Sequence, residues 1–431
     1  MPLLAVTLPD IPDPNPFFTL PFVALLLCMA TMPLLLTKFW EHHYKKVAGG
    51  LGLVAVFYYL FGLHAGGRML GVAWEYVSFI VFIGSLFVVA GGIHVRTKGE
   101  ATPFHNALFL LGGAVMANLV GTTGASMLLI RPWIRLNKYR YTSLHTVFFI
   151  FIISNVGGCL TPIGDPPLFL GYLKGVPFWW VTIKCLPAWA LAVGLIIFIF
   201  YCIDRNNFLK APRKVRDLET AHETLKIEGL HNLGWLALIL AAVFLKYPPG
   251  LREILMAIAA AGSYKTTLKP VHDANHFSFG PIKEVAWLFS GIFATMVPVL
   301  DYLTGHAARL GISTPLHFYW CSGALSGVLD NAPTYLTFVT AAFGLKGMNI
   351  NDAAHMTRFL DQDSLYVVAV SLGSVFFGAM TYIGNGPNLM VKAIADHGKV
   401  HTPHFFAYIV RFSIPVLLPV LALVGWLFFG H

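Results

Sequence analysis

Residues 161–168 read TPIGDPPL and residues 381–388 read TYIGNGPN, so one motif occurs twice in a chain of 431 residues. Both copies lie in apolar stretches, where glycine and proline interrupt a helix and leave backbone groups without partners. A membrane tolerates such a break only where the backbone is buried in protein or lines a wet cavity. Paired breaks in the two halves of a chain indicate the binding site of a transporter.

The composition indicates a membrane protein. The chain is 57% hydrophobic and 11% charged, whereas a soluble domain carries roughly 25% charged residues. Many apolar runs approach the ~20 residues that a helix needs to cross a bilayer. We therefore expect an all-α polytopic membrane protein, because the strict alternation of a β-barrel is absent.

The same residues argue against enzymatic activity and against bound cofactors. The five cysteines are scattered without the spacing of a metal or redox site, and no P-loop is present. The net charge of +9 is expected to reflect basic cytoplasmic loops rather than a nucleic-acid partner.

The spacing of the breaks predicts two inverted repeats, each with five transmembrane helices and one re-entrant hairpin, and with unwound helices at the midplane. Residues 1–204 form the first repeat, with a hairpin over 103–135 and an unwound motif over 161–167. Residues 205–231 form a cytoplasmic linker. Residues 232–431 form the second repeat, with a hairpin over 314–344 and an unwound motif over 381–388. Aligning the breaks places Thr122 opposite Asn331 and Asp165 opposite Asn385, at offsets of 209 and 220 residues.

Lysine and arginine residues set the expected orientation. They collect around residues 38–46, 96–98, 131–140 and 205–216, and basic residues favour the cytoplasmic side. If 103–135 is a hairpin with both ends on one side, all of these groups become cytoplasmic together. An odd number of spans in each repeat then places both termini in the periplasm of a bacterial inner membrane.

The hairpin tips and the breaks carry the candidate binding residues, because helix ends, hydroxyls and amides supply the oxygen ligands that hard cations prefer. The candidate proton- and ion-binding residues are Asp330, Asp165, Asn331, Thr122, Thr123, Asn118, Ser126, Asn155, Thr161, Thr334, Thr381, Asn385 and Asn388. Na⁺ is expected at Asp330, Asn331, Asn385 and Asn388, with Thr122, Thr123 and Asp165 as further ligands. One hairpin tip and one break of the same half would share an ion site.

Two carboxylates, Asp165 and Asp330, mark these elements. Placing a carboxylate inside the membrane costs roughly 2.5–3.5 kcal/mol, and desolvation favours its protonated form. A carboxylate that holds either H⁺ or Na⁺, and never both, would exchange the two ions. The alternative role is helix capping, since Asp330 precedes Pro333 in cap-like spacing, and both roles can hold together.

The four motifs resemble those of the ion transporter superfamily. Gly121–Ser126 (GTTGAS) and Asp330–Thr334 (DNAPT) look like its paired hairpin tips, and the two broken motifs look like its paired unwound helices. Within the superfamily the chain looks most like the citrate transporter-like group, and it is similar to NhaD-type sodium:proton antiporters and arsenite permeases. The resemblance implies a scaffold domain, a mobile transport domain with an elevator-like motion, and a homodimer.

The chain departs from the dicarboxylate transporters of this superfamily. Their Ser-Asn-Thr tips are missing, and the first unwound motif ends in Leu168 where Asn is usual. We therefore expect Na⁺/H⁺ exchange across the inner membrane, with Na⁺ and H⁺ as transported ions. The alternatives are Na⁺-coupled symport of citrate or another small carboxylate, and efflux of an arsenite-type oxyacid. Besides these solutes, membrane lipid and a second copy of the chain are the expected partners.

Overall fold

The structure is a computed structural model that describes residues 13–98, 102–138, 140–210, 224–245, 247–398, 400 and 402–430. Most of these residues are helical. The helices up to residue 210 are α1 (Leu20–Leu35), α2 (Thr37–Phe57), α3 (Gly66–Gly91), α4 (Pro103–Leu136), α5 (Ser143–Ile152), α6 (Pro166–Leu173) and α7 (Phe178–Lys210). The later helices are α8 (Asn232–Val243), α9 (Leu251–Thr266), α10 (Lys269–Asn275), α11 (Gly280–His306), α12 (Pro315–Ser326), α13 (Asn331–Leu345), α14 (Ala353–Gln362), α15 (Ser364–Phe377), α16 (Gly386–His397) and α17 (Phe405–Phe429).

The helices fit a multi-pass membrane protein. Within the described ranges, seven helical segments are long and apolar enough to cross a membrane, and α14 with α15, bent by 90°, would make an eighth. Helices α8 and α9 are shorter, at 12 and 16 residues, than the ~20 residues that a perpendicular span requires. The multi-pass, mainly helical class expected from the composition is therefore confirmed.

Helix α4 folds back on itself. Gly121 interrupts it with φ 79° and ψ 155°, a conformation that favours glycine because it has no Cβ. Near the two ends, the amide side chains of Asn106 and Asn137 donate hydrogen bonds to each other at 2.7 and 3.1 Å. A straight helix would hold these residues roughly 46 Å apart at 1.5 Å per residue. Helix α4 is thus a hairpin, with its tip at Gly121 and its two ends side by side.

Helices α12 and α13 form a second hairpin. The rings of Phe318 and Phe338, one on each limb, pack edge to face with centroids 6.2 Å apart. The two hairpins also begin alike. Thr102 and Thr314 each cap a helix that starts with proline, and each hydroxyl accepts a hydrogen bond from the backbone N–H of the histidine three residues later. The two hairpins thus share the same Thr-Pro-X-His start in the sequence.

Besides the helices, the described residues contain two short strands. β1 (His94–Lys98) and β2 (Thr224–Glu228) pair antiparallel, with His94 opposite Glu228. The pair joins the polar stretch after α3 to the link between the halves, and each strand provides partners for the backbone N–H and C=O groups that face it. Helix α7 continues to Lys210, so the first part of the predicted linker is helical, and residues 211–223 lie outside the described residues.

Candidate functional site

The first break lies between α5 and α6, and the first hairpin supports it. A 3₁₀ turn over Val156–Leu160 follows α5. The Asn118 amide, on the first limb of the hairpin, accepts a hydrogen bond from the Leu160 backbone N–H at 2.8 Å and donates to the Gly157 carbonyl at 2.6 Å. The Thr161 hydroxyl donates to the Asn118 carbonyl at 2.7 Å. The hairpin therefore supplies partners for backbone groups that the broken helix leaves free, as burial in a membrane requires.

The second break, between α15 and α16, repeats this construction. The Thr381 hydroxyl donates to the Gly327 carbonyl at 2.7 Å. The offsets from Asn118 to Gly327 and from Thr161 to Thr381 are 209 and 220 residues, the same offsets that align the motifs in the sequence. In both halves the backbone N–H of the following glycine, Gly164 or Gly384, donates to the threonine hydroxyl at 3.2 Å.

Each break requires a glycine because two backbone segments approach closely. A Cβ atom added to Gly164 would lie 2.0 Å from the Gly158 carbonyl oxygen, and one added to Gly384 would lie 2.6 Å from the Gly378 carbonyl oxygen. Neither backbone oxygen can move away cheaply. The close backbone packing at each break therefore explains the glycine that both motifs share.

The Asp165 carboxylate is the point at which both hairpins and both breaks meet. Its Oδ1 accepts hydrogen bonds from the Thr122 hydroxyl at 2.6 Å and from the Asn385 amide at 3.0 Å. Its Oδ2 accepts from the Asn331 amide at 2.5 Å. Thr122 lies at the first hairpin tip, Asn331 at the second, and Asn385 in the second break, and all four side chains are buried. We call Thr122, Asp165, Asn331 and Asn385 the Asp165 cluster.

Other predicted site residues surround this cluster. The Asn385 amide also donates to the Ser154 carbonyl at 3.1 Å, and the Ser154 hydroxyl lies 2.8 Å from that of Ser126. The Asn155 amide donates to Oδ1 of Asn388 at 2.7 Å, and the Asn388 amide donates to the carbonyls of Gly378 and Thr381. Ser126, Asn155 and Asn388 therefore line one continuous polar region with the Asp165 cluster.

This region contains buried oxygen atoms without hydrogen-bond partners among the described residues. They are Oδ1 of Asn331 and Oδ1 of Asn155. A Cβ atom on Gly378 would lie 2.9 Å from Oδ1 of Asn155 and 3.6 Å from the amide nitrogen of Asn331, so both amides face this glycine. Amide and carboxylate oxygens are the hard ligands that alkali cations prefer, and the Asn331 amide also contacts Asp165.

Asp330 has a different place from Asp165. Its Oδ1 accepts the backbone N–H of Ala332 at 3.0 Å and caps α13, and the Thr334 hydroxyl donates to its carbonyl at 2.9 Å. Among the described residues, no hydrogen bond joins Asp330 to Asp165. Asp330 therefore has the helix-capping role that its spacing from Pro333 suggested, whereas the polar cluster centres on Asp165.

Thr123 lines a small cavity beside the first hairpin tip.

The first break has few backbone N–H groups that could bind an anion. Pro166 and Pro167 have no N–H group, and the next two, of Leu168 and Phe169, both donate to the Asp165 carbonyl at 3.1 and 3.4 Å. The start of α6 therefore lacks the free donors that usually hold anions at a helix N-terminus. The cavity at the adjoining hairpin tip has a volume of about 30 Å³, enough for about one water molecule and too small for citrate.

Sequence reasoning missed the buried ion pairs outside this region. Arg140 and Asn106 both bind the Asp204 carboxylate, where α7 passes the two ends of the α4 hairpin. Arg68 pairs with Asp301 at 2.9 Å. Each pair joins residues at least 64 positions apart, so local patterns gave no signal beyond a charge near the end of an apolar run.

Comparison with known proteins agrees with these observations. Residues 14–429 match the model of a family described as "Putative citrate transport". The chain is also 24% identical, over 394 residues, to a "46 kDa membrane protein" of Mycobacterium leprae (strain TN), covering 82% of this chain and 86% of that protein. Because the family model matches nearly the whole chain, this protein belongs to the citrate transporter-like family of ion transporters.

Proposed function

We propose that this transporter exchanges Na⁺ for H⁺ across a bacterial inner membrane, with Asp165 as the group for which the two ions compete. The observation that carries the proposal is the convergence of both hairpin tips and both breaks on this one carboxylate. A site shared by all four elements would change whenever the hairpins and broken helices move, which is what coupling of ion binding to transport requires.

The hydrogen bonds of the Asp165 cluster suggest how one site could hold either ion. In the structure three donors satisfy the carboxylate. If the side-chain amides of Asn331 and Asn385 rotated by about 180°, their oxygens would face the carboxylate in place of the NH₂ groups. The oxygen of the Thr122 hydroxyl can also bind a cation. Na⁺ would then bind Asp165 with neutral oxygen ligands. When Na⁺ leaves, a proton would neutralise the buried carboxylate, because an unpaired charge is costly inside the membrane.

The surroundings favour a cation over an anion. In the described part of the chain, no lysine or arginine side chain donates a hydrogen bond to Asp165, and Lys392, one turn beyond Asn388, pairs with Asp396 at 2.5 Å instead. The two prolines remove donors from the start of α6. A carboxylate substrate placed beside Asp165 would meet like charge without a compensating cation.

Na⁺-coupled symport of citrate or another small carboxylate is the second candidate function. The description of the matched family, which names citrate transport, favours it. In a symporter, Na⁺ would bind to the same oxygen ligands, and the carboxylate substrate would bind only when Na⁺ is present. The start of α16 retains the Gly386 N–H as a donor, which the start of α6 lacks.

We further propose that the chain consists of two inverted repeats, over 1–204 and 232–431, with both termini in the periplasm. The matching threonine hydrogen bonds at the two breaks support the repeat. An elevator-like motion of the hairpins and broken helices, in a homodimer, would carry the bound ion across. The cluster residues, with Asn118, Ser126, Asn155, Asn388, Thr161 and Thr381 around them, are the proposed transport site.

The test is a flux measurement in proteoliposomes that contain a pH-sensitive dye and no organic anion. An inward Na⁺ gradient should drive protons outward at once, and liposomes without protein should remain unchanged. Proton movement that begins only when citrate or succinate is added would contradict exchange and favour symport. The Asp165→Asn protein, prepared in the same way, is the matched control for leakage.

A further inference from the structure

A mostly apolar cavity that also carries charged side chains lies away from the Asp165 cluster, at the end of the molecule where the two ends of the α4 hairpin meet. It is a half-open cavity of about 730 Å³ between the second limb of that hairpin, the later part of α16, and the loop that follows α10. Its charged or titratable lining residues are Arg131, Arg135, His276 and His397, and its apolar lining includes Ile134 and Met390.

The two arginines of this cavity lack a counter-charge. Arg131 and Arg135 lie four residues apart on α4, so their side chains share one face and repel each other. Nη1 of Arg131 is buried and has no hydrogen-bond partner anywhere in the described chain. Among the residues that the structure describes, no carboxylate forms an ion pair with either guanidinium, and Asp396 on α16 is bound by Lys392 and Thr402.

Such an arrangement is costly unless something fills it. Arg131 is half-buried and Arg135 is exposed, so the cost falls mainly on the buried Nη1 of Arg131, which loses its hydration without gaining a hydrogen bond, and the like-charged neighbour adds to that cost. The guanidinium group of arginine is well suited to planar or tetrahedral oxyanions, because it can donate two parallel hydrogen bonds to them. Basic cavities between membrane helices commonly hold the phosphate groups of anionic lipids.

We propose that this cavity binds a phosphate-bearing anion, with Arg131 and Arg135 as its principal ligands. The two sources of that chemistry are the headgroup of an anionic phospholipid and a soluble phosphate. The apolar residues Ile134 and Met390 beside the arginines would contact the glycerol and acyl part of a lipid, whereas a soluble phosphate would leave them uncovered. The site is separate from the proposed exchange site and does not depend on it.

An anion bound in this cavity would contact three separate elements of the structure. Arg131 belongs to the hairpin whose tip carries Thr122, and Met390 belongs to α16, which begins directly after the second break. His276 belongs to the loop that precedes α11. An anion bound between these three elements would tie the hairpin and α16 to the rest of the molecule at this end.

Thermal unfolding of the purified protein in a neutral detergent tests the site directly. One arm compares potassium phosphate with potassium chloride at the same ionic strength. A second arm compares added phosphatidylglycerol with phosphatidylcholine. The variants are Arg131→Gln, Arg135→Gln and Arg131→Lys, and the matched control is Arg205→Gln, which removes an exposed arginine near the end of α7.

We expect Tm of the unmodified protein to rise with phosphatidylglycerol, with phosphate, or with both, and the arm that responds identifies the source. Arg131→Gln and Arg135→Gln should weaken the apparent affinity at least about tenfold, Arg131→Lys should retain part of it, and Arg205→Gln should behave as the unmodified protein. The proposal is overturned if neither probe raises Tm, or if the two glutamine variants are protected as well as the control. If Arg131→Gln does not fold, Arg135→Gln, at an exposed position, decides the question.

Discussion

The Asn331 amide donates a hydrogen bond to Oδ2 of Asp165 across 2.5 Å, although 166 residues separate the two in the chain. Asn331 is the first residue of α13 and Asp165 immediately precedes α6. The contact therefore connects the tip of the second hairpin to the break of the first half. It makes the Asp165 carboxylate a shared element of both halves, in place of the separate site in each half that the sequence had suggested.

Asp165→Asn should abolish Na⁺-dependent proton movement, reducing it to the level of liposomes without protein. The substitution keeps the shape of the side chain but removes the charge that holds either ion, so the protein should still fold. Proton flux with a pH-sensitive dye and size-exclusion chromatography measure the two effects. Exchange that survives in a folded Asp165→Asn protein would show that the proton site lies elsewhere.

Asp330 should contribute mainly to stability, by capping the N-terminus of α13. Asp330→Ala should lower the free energy of unfolding by about 1 kcal/mol, the typical value of an N-cap, whereas Asp330→Asn should change it little because asparagine is an equally good cap. Thermal unfolding in detergent measures the difference, and Asp330→Asn should keep most of the exchange. Loss of exchange in a stable Asp330→Asn protein would instead give Asp330 a direct part in ion binding.

Asn331→Ala should raise the Na⁺ concentration for half-maximal exchange about tenfold, as is typical when a residue that orients a metal ligand is lost. The change removes both the donor to Asp165 and the buried amide oxygen that we propose as a cation ligand. Na⁺ titration of the flux rate measures it. The control is Thr340→Ala on the same helix, whose buried hydroxyl has no hydrogen-bond partner in the described part of the chain. An equal loss there would point to a general effect on α13.

Gly164→Ala should abolish transport and lower Tm, because the added Cβ would lie 2.0 Å from the Gly158 carbonyl oxygen. Gly112→Ala is the matched control on the first hairpin, where a Cβ meets no atom within 4 Å. That change should be neutral or should stabilise the helix by about 0.5–1 kcal/mol. A Gly164→Ala protein with normal Tm would mean that the break is looser than its packing indicates.

Asp204→Asn should destabilise the protein by about 3–5 kcal/mol, the range observed when one member of a buried ion pair is removed. Asp204 is fully buried and binds Arg140 and Asn106 where the two ends of the α4 hairpin meet. Thermal unfolding measures the loss. Asp361→Asn, at an exposed position on α14, should change stability by no more than about 0.5 kcal/mol. Similar effects of both changes would argue against a special role for the Asp204 pair.

Local sequence patterns predicted the hairpin tips and the breaks because their causes are local. Glycine and proline disfavour the interior of a helix through their own backbone geometry, and an apolar run predicts that the interruption lies inside a membrane. The alignment of the halves at offsets of 209 and 220 residues predicted matching positions, and the Thr161 and Thr381 hydrogen bonds lie at those positions. The repeated Thr-Pro-X-His start of the hairpins was available in the sequence in the same way.

By itself, then, the order of residues determined the membrane class and the places where helices must stop, since both follow from solvation and backbone geometry within a few turns. Only the tertiary structure decided that Asp165 rather than Asp330 gathers the amides and that β1 pairs with β2. It also decided that Arg131 and Arg135 line one cavity, to which the described residues contribute no carboxylate. These relationships join residues up to 220 positions apart. Distance along the chain carries no information about them, because packing of whole helices brings such side chains together.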